Sequence, residues 1–275
     1  MAGGSPLVGV EWLREHLRDP GLRLLDVRWS VGTGPDLPAY LEGHLPGASF
    51  VDLDRDLAGP PGPRGRHPLP TAQGFSEAMR SAGVNRRDRV IAYDEVTGAA
   101  ARAWWLLRAA GHPRVEVLDG GLEAWRAGGG ELEGGPTESG AGDFTARGFA
   151  GWVDADATAA LLAAGSVVVD ARSPERFRGE PSPLDPRPGH IPGARSLPWT
   201  VAYEGGVVDP ARLRAELARA SPDAPPGAAY CGSGVTACAL ILALESQGVS
   251  GVKLYPGSWS EWAQDPQRPA ELAGD

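Results

Sequence analysis

The sequence predicts an α/β protein built from two copies of one domain, each a parallel β-sheet flanked by helices on both faces. Three observations predict it. First, motifs recur in order. Leu24-Leu25-Asp26-Val27-Arg28 is echoed by Val168-Val169-Asp170-Ala171-Arg172, and Gly43-His44-Leu45-Pro46-Gly47-Ala48 by Gly189-His190-Ile191-Pro192-Gly193-Ala194. Tyr93-Asp94 is echoed by Tyr230-Cys231, and residues 120–125 by 257–262. The last two pairs share one offset, 137 residues, whereas the first two need 144 and 146. This is a duplicated domain with small loop insertions, because the period is far too long for a solenoid. Second, continuous apolar runs alternate with helical stretches, the pattern of strands buried on both faces. Third, 275 residues with 42% apolar content suffice for two domains with packed cores.

The elements follow in chain order. In the first copy, the leucine-rich run ending in Asp26-Val27-Arg28 is a strand, and the Gly-His-x-Pro-Gly-Ala segment is a turn. A helix then leads to the strand Arg89-Val90-Ile91-Ala92-Tyr93, followed by a helix over 99–110 and a short strand Val115-Glu116-Val117-Leu118 before Gly120-Gly121. Residues 127–151 are rich in Gly, Glu, Ser and Thr with little periodicity. The expected division is therefore a first domain over 1–130, a linker over 131–150 and a second domain over 151–275, opening near Trp152-Val153. There the run Val168-Val169-Asp170 and the end Ala228-Ala229-Tyr230 are strands. Residues 236–247 form a helix apolar on nearly every face, with Gly248 as its C-terminal cap.

Composition narrows the function. A net charge of −9 argues against nucleic acid and anionic membranes as partners. No apolar run approaches the length of a membrane span. The opening Met1-Ala2-Gly3-Gly4-Ser5-Pro6 has no basic or apolar signal region, so no signal peptide is expected. Two cysteines seven apart make no disulfide framework, and a cytoplasmic, reducing setting suits a free reactive thiol. Five scattered histidines show no metal-ligand spacing, and no nucleotide-type glycine fingerprint follows an early strand. No metal or cofactor is expected.

The chemistry concentrates in Tyr230-Cys231-Gly232-Ser233-Gly234-Val235-Thr236. This is a tight loop between a strand end and a helix N-terminus, the edge of a parallel sheet where ligands bind. Gly232 and Gly234 let the backbone curl so that N–H groups of Gly232, Ser233, Gly234, Val235 and Thr236 can point inward, and the helix adds its positive end. A cysteine at such a focus is expected to be held as thiolate, the nucleophilic form. The first copy carries Asp94 at the matching position, so it is expected to be catalytically inactive. His44 and His190 recur in both copies and are read as turn-stabilising.

Cys231-Gly232-Ser233-Gly234-Val235-Thr236 resembles the active-site loop of the rhodanese superfamily, in the version carried by 3-mercaptopyruvate sulfurtransferases. Thiosulfate-using relatives usually place a basic residue directly after the cysteine. Tyr93-Asp94 and Trp104-Trp105 also match the first domain of tandem family members, and the resemblance runs from about residue 10 to about residue 262. It implies two tandem rhodanese-like domains, the second catalytic, and a reaction in which Cys231 takes sulfur from a small anionic donor as a persulfide. An acceptor thiol (a small thiol or a thioredoxin-like protein) or cyanide then removes it.

Arg176 stands where the family keeps its substrate-binding arginine, and Arg187 is the nearest candidate for a second, though its spacing departs from the family pattern. Ser233 is expected to donate to the thiol or relay a proton, with His67 and Asp54 as relay partners implied by the resemblance. Arg172 is read as structural because Arg28 recurs in the inactive copy, and Cys238 as packing. Two readings stand beside the mercaptopyruvate one: a thiosulfate:cyanide sulfurtransferase, and a non-catalytic persulfide carrier. A cysteine phosphatase is disfavoured because no arginine closes the loop after Thr236.

Overall fold

The computed structural model describes residues 4–96 and 98–272. It divides into two units. The first comprises the chain through Gly59, Leu69–Ala150 and Gly205–Val207; the second comprises Pro60–Pro68, Gly151–Glu204 and the chain from Val208 onward.

The first unit holds a five-stranded, wholly parallel sheet in the order Leu7–Val8, Val115–Leu118, Arg89–Tyr93, Leu22–Asp26, Ser49–Phe50. Successive side chains point to opposite faces of a strand. Leu22, Leu24, Ile91 and Tyr93 pack in one core with Leu13, Leu122 and Trp125 from the helices Val10–His16 and Gly121–Ala127. The helix Ala99–Ala109 packs against Arg89–Tyr93 and Val115–Leu118 and buries Ala99 through Leu107.

The second unit repeats this plan with four parallel strands in the order Lys253–Leu254, Ala228–Tyr230, Val168–Asp170, Arg195–Ser196. Val168, Ala228 and Tyr230 share a core with Ile191, Tyr255, Trp259 and Trp262. The helix Thr236–Ser246 buries every residue from Ala237 to Leu244, which accounts for its lack of a polar face. Gly248 follows in the left-handed region at φ 81°. Among the described residues no helix is long and apolar enough to cross a membrane.

The shared motifs do the same work in each unit. Arg28 grips Asp26 (2.9 Å) and the carbonyl of Gly43 (2.8 Å); Arg172 grips Asp170 (2.7 Å) and the carbonyl of Gly189 (2.8 Å). Each arginine thus ties a strand end to the Gly-His turn, and both ion pairs are buried. Tyr93 and Tyr230 accept from the backbone of the same turns, at Leu45 and Ile191. His44 and His190 stack on Tyr40 and Phe177 and lie against backbone carbonyls.

Two stretches add detail to the linear reading. Residues 131–150, expected as a linker, run irregularly along the first unit. Glu133 pairs with His44, Gly142 N–H donates to the Arg80 carbonyl (2.9 Å) and Phe144 N–H to that of Val84 (3.1 Å). Phe144 is buried beside Phe75 and His112, so the segment is held by apolar anchors that its polar composition hides. Residues 60–68 leave the first unit and join the second, where Arg66 N–H donates to Ser260 Oγ (3.0 Å). Hydrophobic periodicity carries no sign of such a crossing.

Candidate active site

Cys231 ends the strand Ala228–Tyr230 and is only 2% exposed. The helix that begins at Thr236 is one loop away. Gly234 N–H donates to Cys231 Sγ at 3.1 Å. Gly234 has φ 80°, and a Cβ there would lie 2.4 Å from the Pro256 carbonyl oxygen, so conformation and space both require glycine. Gly232 differs. It is outside the left-handed region, and a Cβ there would meet Arg176 Nη2 at 2.8 Å and Arg66 Nη2 at 3.0 Å. Expected to let the backbone curl, Gly232 is not in the left-handed region; the ends of two guanidinium groups lie close to where its side chain would be.

A second loop, 255–260, clamps the first. Cys231 N–H donates to Ser258 Oγ (3.1 Å), which in turn donates to the Tyr255 carbonyl (2.8 Å). Trp259 and Ser260 N–H groups donate to the carbonyls of Cys231 (3.0 Å) and Gly232 (2.9 Å). These bonds fix the backbone on which the sulfur is mounted. Cys238 is fully buried, with its Sγ directed at the Gly234 carbonyl (3.3 Å).

The second unit brings Ser233 and His67 together: Ser233 Oγ and His67 Nδ1 share a hydrogen at 2.8 Å. Asp54 belongs to the first unit, where its Oδ1 accepts from the Trp29 indole (3.1 Å). Arg176 directs Nε and Nη2 at the two oxygens of Asp185 (2.8 and 2.5 Å). Asp185 is 3% exposed and also lies 3.4 Å from Arg172 Nη1. Burial acts to lower the Arg172 pKa, but Asp170, Tyr230 and Asp185 outweigh it and raise it overall. Arg187 Nη2 donates to the Arg268 carbonyl (2.5 Å), and its guanidinium is 5.9 Å from the Trp259 ring centre.

Arg66, Asp185 and Ser258 were not singled out from sequence. Arg66 Nη1 donates to the Leu184 carbonyl. Burial lowers the Arg66 pKa, as does repulsion from Arg176 and Arg172, against the attraction of Asp185 and Cys231. An arginine so displaced is still a cation at neutral pH. The signal for Ser258 was present in the repeat, since Gly121 stands at its place in the first copy. Asp185, in a proline-rich loop, left no such trace.

A cysteine held at the carboxyl end of a parallel sheet, with two guanidinium groups close to the next residue and a Ser–His pair beside it, makes a candidate cysteine-centred active site. Family comparison narrows it. The model of the rhodanese-like domain matches residues 9–128 and 154–265. The chain is 41% identical to the "Probable 3-mercaptopyruvate sulfurtransferase" of Pseudomonas aeruginosa, over 96% of this chain and 97% of that one. It is 42% identical to the "Putative thiosulfate sulfurtransferase SseB" of Mycobacterium tuberculosis, over 91% and 90%. The crystal structure of the Escherichia coli 3-mercaptopyruvate enzyme superposes with a TM-score of 0.84 at 37% identity, covering 94% of this chain and all of that one. The chain therefore belongs to the rhodanese family, as a sulfurtransferase with two tandem rhodanese-like domains.

Proposed function

We propose that the protein moves a sulfur atom from 3-mercaptopyruvate to a thiol or cyanide acceptor through a persulfide on Cys231. Cys231 Sγ attacks the donor's sulfur, an S–S bond forms, and the donor's C–S bond breaks with its electron pair left on carbon. That carbanion is the enolate of pyruvate, and it needs one proton. The observation that carries the reading is the 2.8 Å contact between Ser233 Oγ and His67 Nδ1, a proton path two residues from the nucleophile. The Gly234 N–H and the amino end of the helix at Thr236 favour negative charge on the sulfur that remains. The acceptor then attacks the outer sulfur and Cys231 leaves as the anion that began the cycle. Arg176 is assigned to the donor's carboxylate, with Arg187 as the candidate second arginine. A reducing, cytoplasmic setting suits both free cysteines.

Thiosulfate is the second reading, and the guanidinium of Arg66 over Gly232 favours it. There the S–S bond of the donor breaks and sulfite departs with the electron pair, needing no proton. The two donors therefore separate on His67. In steady-state assays with cyanide as acceptor, wild type should prefer mercaptopyruvate. His67→Asn should lower kcat with mercaptopyruvate by about 10²-fold, the usual worth of a positioned proton donor, and with thiosulfate far less. Equal losses with both donors, or a wild-type preference for thiosulfate, would overturn the mercaptopyruvate reading.

A further inference from the structure

The charges facing the Cys231 loop are not equivalent. Arg172 is neutralised by Asp170 at 2.7 Å and spends another bond on Gly189. Arg176 directs its Nε and Nη2 at the two oxygens of Asp185, while its Nη1 lies 3.5 Å from the point that a Gly232 Cβ would fill. Arg66 is different. Its side chain donates only to an uncharged carbonyl, that of Leu184, and among the described residues no carboxylate lies within ion-pair distance of it. Its backbone is fixed by Ser260, from the loop that also clamps Gly232. Its Nη2 and that of Arg176 both come within about contact distance of the one point that a Gly232 side chain would fill.

We infer that Arg66 gives the site a secondary affinity for donors whose anionic end carries more charge than a carboxylate, its guanidinium joining that of Arg176 over Gly232. The inference deepens the sulfur-transfer reading and rests on Cys231 being its centre. The physical reason is one of charge and valence. Coulomb attraction scales with the charge of the ligand, so a second cation gains roughly twice as much from a dianion as from a monoanion. A carboxylate offers two oxygens and is satisfied by one fork of donors, whereas a sulfonate-type end offers three and can engage two. Thiosulfate, a dianion with three terminal oxygens, gains from both arginines. Mercaptopyruvate, with one carboxylate, gains chiefly from one. Arg66 thus supplies across space a charge that the loop itself lacks at position 232.

The test separates binding from transfer. In a Cys231→Ser background, which cannot accept sulfur, thiosulfate and pyruvate are titrated calorimetrically. Arg66→Gln removes the charge but retains an amide able to donate to the Leu184 carbonyl. It should weaken thiosulfate at least about tenfold and pyruvate less than about threefold, with Arg66→Lys restoring most of the difference. Gly232→Ala in the same background provides a second variant, because its methyl would displace both guanidinium groups; it too should weaken thiosulfate more than pyruvate. Equal weakening of both anions, or an unchanged thiosulfate affinity in a folded Arg66→Gln protein, would overturn the assignment. A loss of persulfide formation in the enzyme with Cys231 intact would instead count against the transfer reading, so the two failures are distinguishable.

Discussion

The loop after Tyr93 and the loop after Tyr230 are the same backbone device with different atoms at the focus. In the first unit Asp94 accepts from Val96 N–H (2.7 Å) and Ala100 N–H (3.0 Å), so a fixed carboxylate fills the cradle. In the second, Cys231 Sγ accepts from Gly234 N–H, and a reactive atom occupies the place of the carboxylate. The clamp differs in step. Gly121, at φ 56°, lets Leu122 N–H reach the Asp94 carbonyl, and a Cβ on it would lie 2.3 Å from that oxygen. Ser258, its counterpart, holds nearly the same φ (53°) yet carries a hydroxyl bonded to the Cys231 amide. A left-handed serine is costly, and the bond from the Cys231 amide to its hydroxyl offsets that cost. The residues that recur in both units build the scaffold, and those that differ include the proposed nucleophile.

The largest expected effect that sharpens this contrast is at Arg176, which has no counterpart in the repeated motifs. Arg176→Ala should lower kcat/KM for an anionic donor by about 2–4 kcal/mol, the worth of charge-assisted bonds in a partly desolvated site. Part of that loss comes from leaving Asp185 with only the longer contact to Arg172. Donor kinetics within twofold of wild type would make Arg176 a structural partner of Asp185 alone.

Next in size is Asp94. Asp94→Ala leaves the amides of Val96 and Ala100 without this carboxylate in a buried loop, and should cost about 1–3 kcal/mol of stability in denaturant unfolding. Cys231→Ser should cost almost none. Equal destabilisation of the two variants would break the division between a structural and a chemical cradle.

The smallest effect tests one difference just past the end of the following helix, where His112 in the first unit stands opposite Val249 in the second. The buried His112 ring lies 3.0 Å from the Asn85 carbonyl at Nε2 and accepts from Arg114 N–H at Nδ1, an arrangement that suits the neutral form. Burial lowers its pKa below the ordinary 6.5. A depressed folded value means that the stability it contributes is present above about 6.5 and is lost as pH falls through the folded value. Wild type should therefore lose unfolding midpoint on acidification more steeply than His112→Val; parallel profiles would remove His112 as the cause.

Much of this was legible in the sequence because it is local or repeated. The Asp-x-Arg strand ends, the Gly-His turns and the helix closing at Gly248 are short-range patterns, and duplication confirmed each one against its copy. Cys231 and the need for glycine at 234 were legible for the same reason. What escaped depends on contacts between distant segments. Nothing near Gly65-Arg66-His67 indicates that it joins the second unit, and nothing near Arg176 indicates that Asp185 takes up its fork. Gly232 illustrates the limit: the sequence suggests backbone freedom there, whereas it is not in the left-handed region and lies beside two arginine side chains 166 and 56 residues away along the chain.

Cys231 alone is proposed to carry the transferred sulfur. Intact-mass and peptide-mass measurement after exposure to mercaptopyruvate, with no acceptor present, tests it most directly. The expected result is a gain of one sulfur atom on the Cys231 peptide, its loss on adding cyanide, and no gain in Cys231→Ser, which should fold normally and transfer nothing. Sulfur found on Cys238, or turnover persisting in Cys231→Ser, would contradict it.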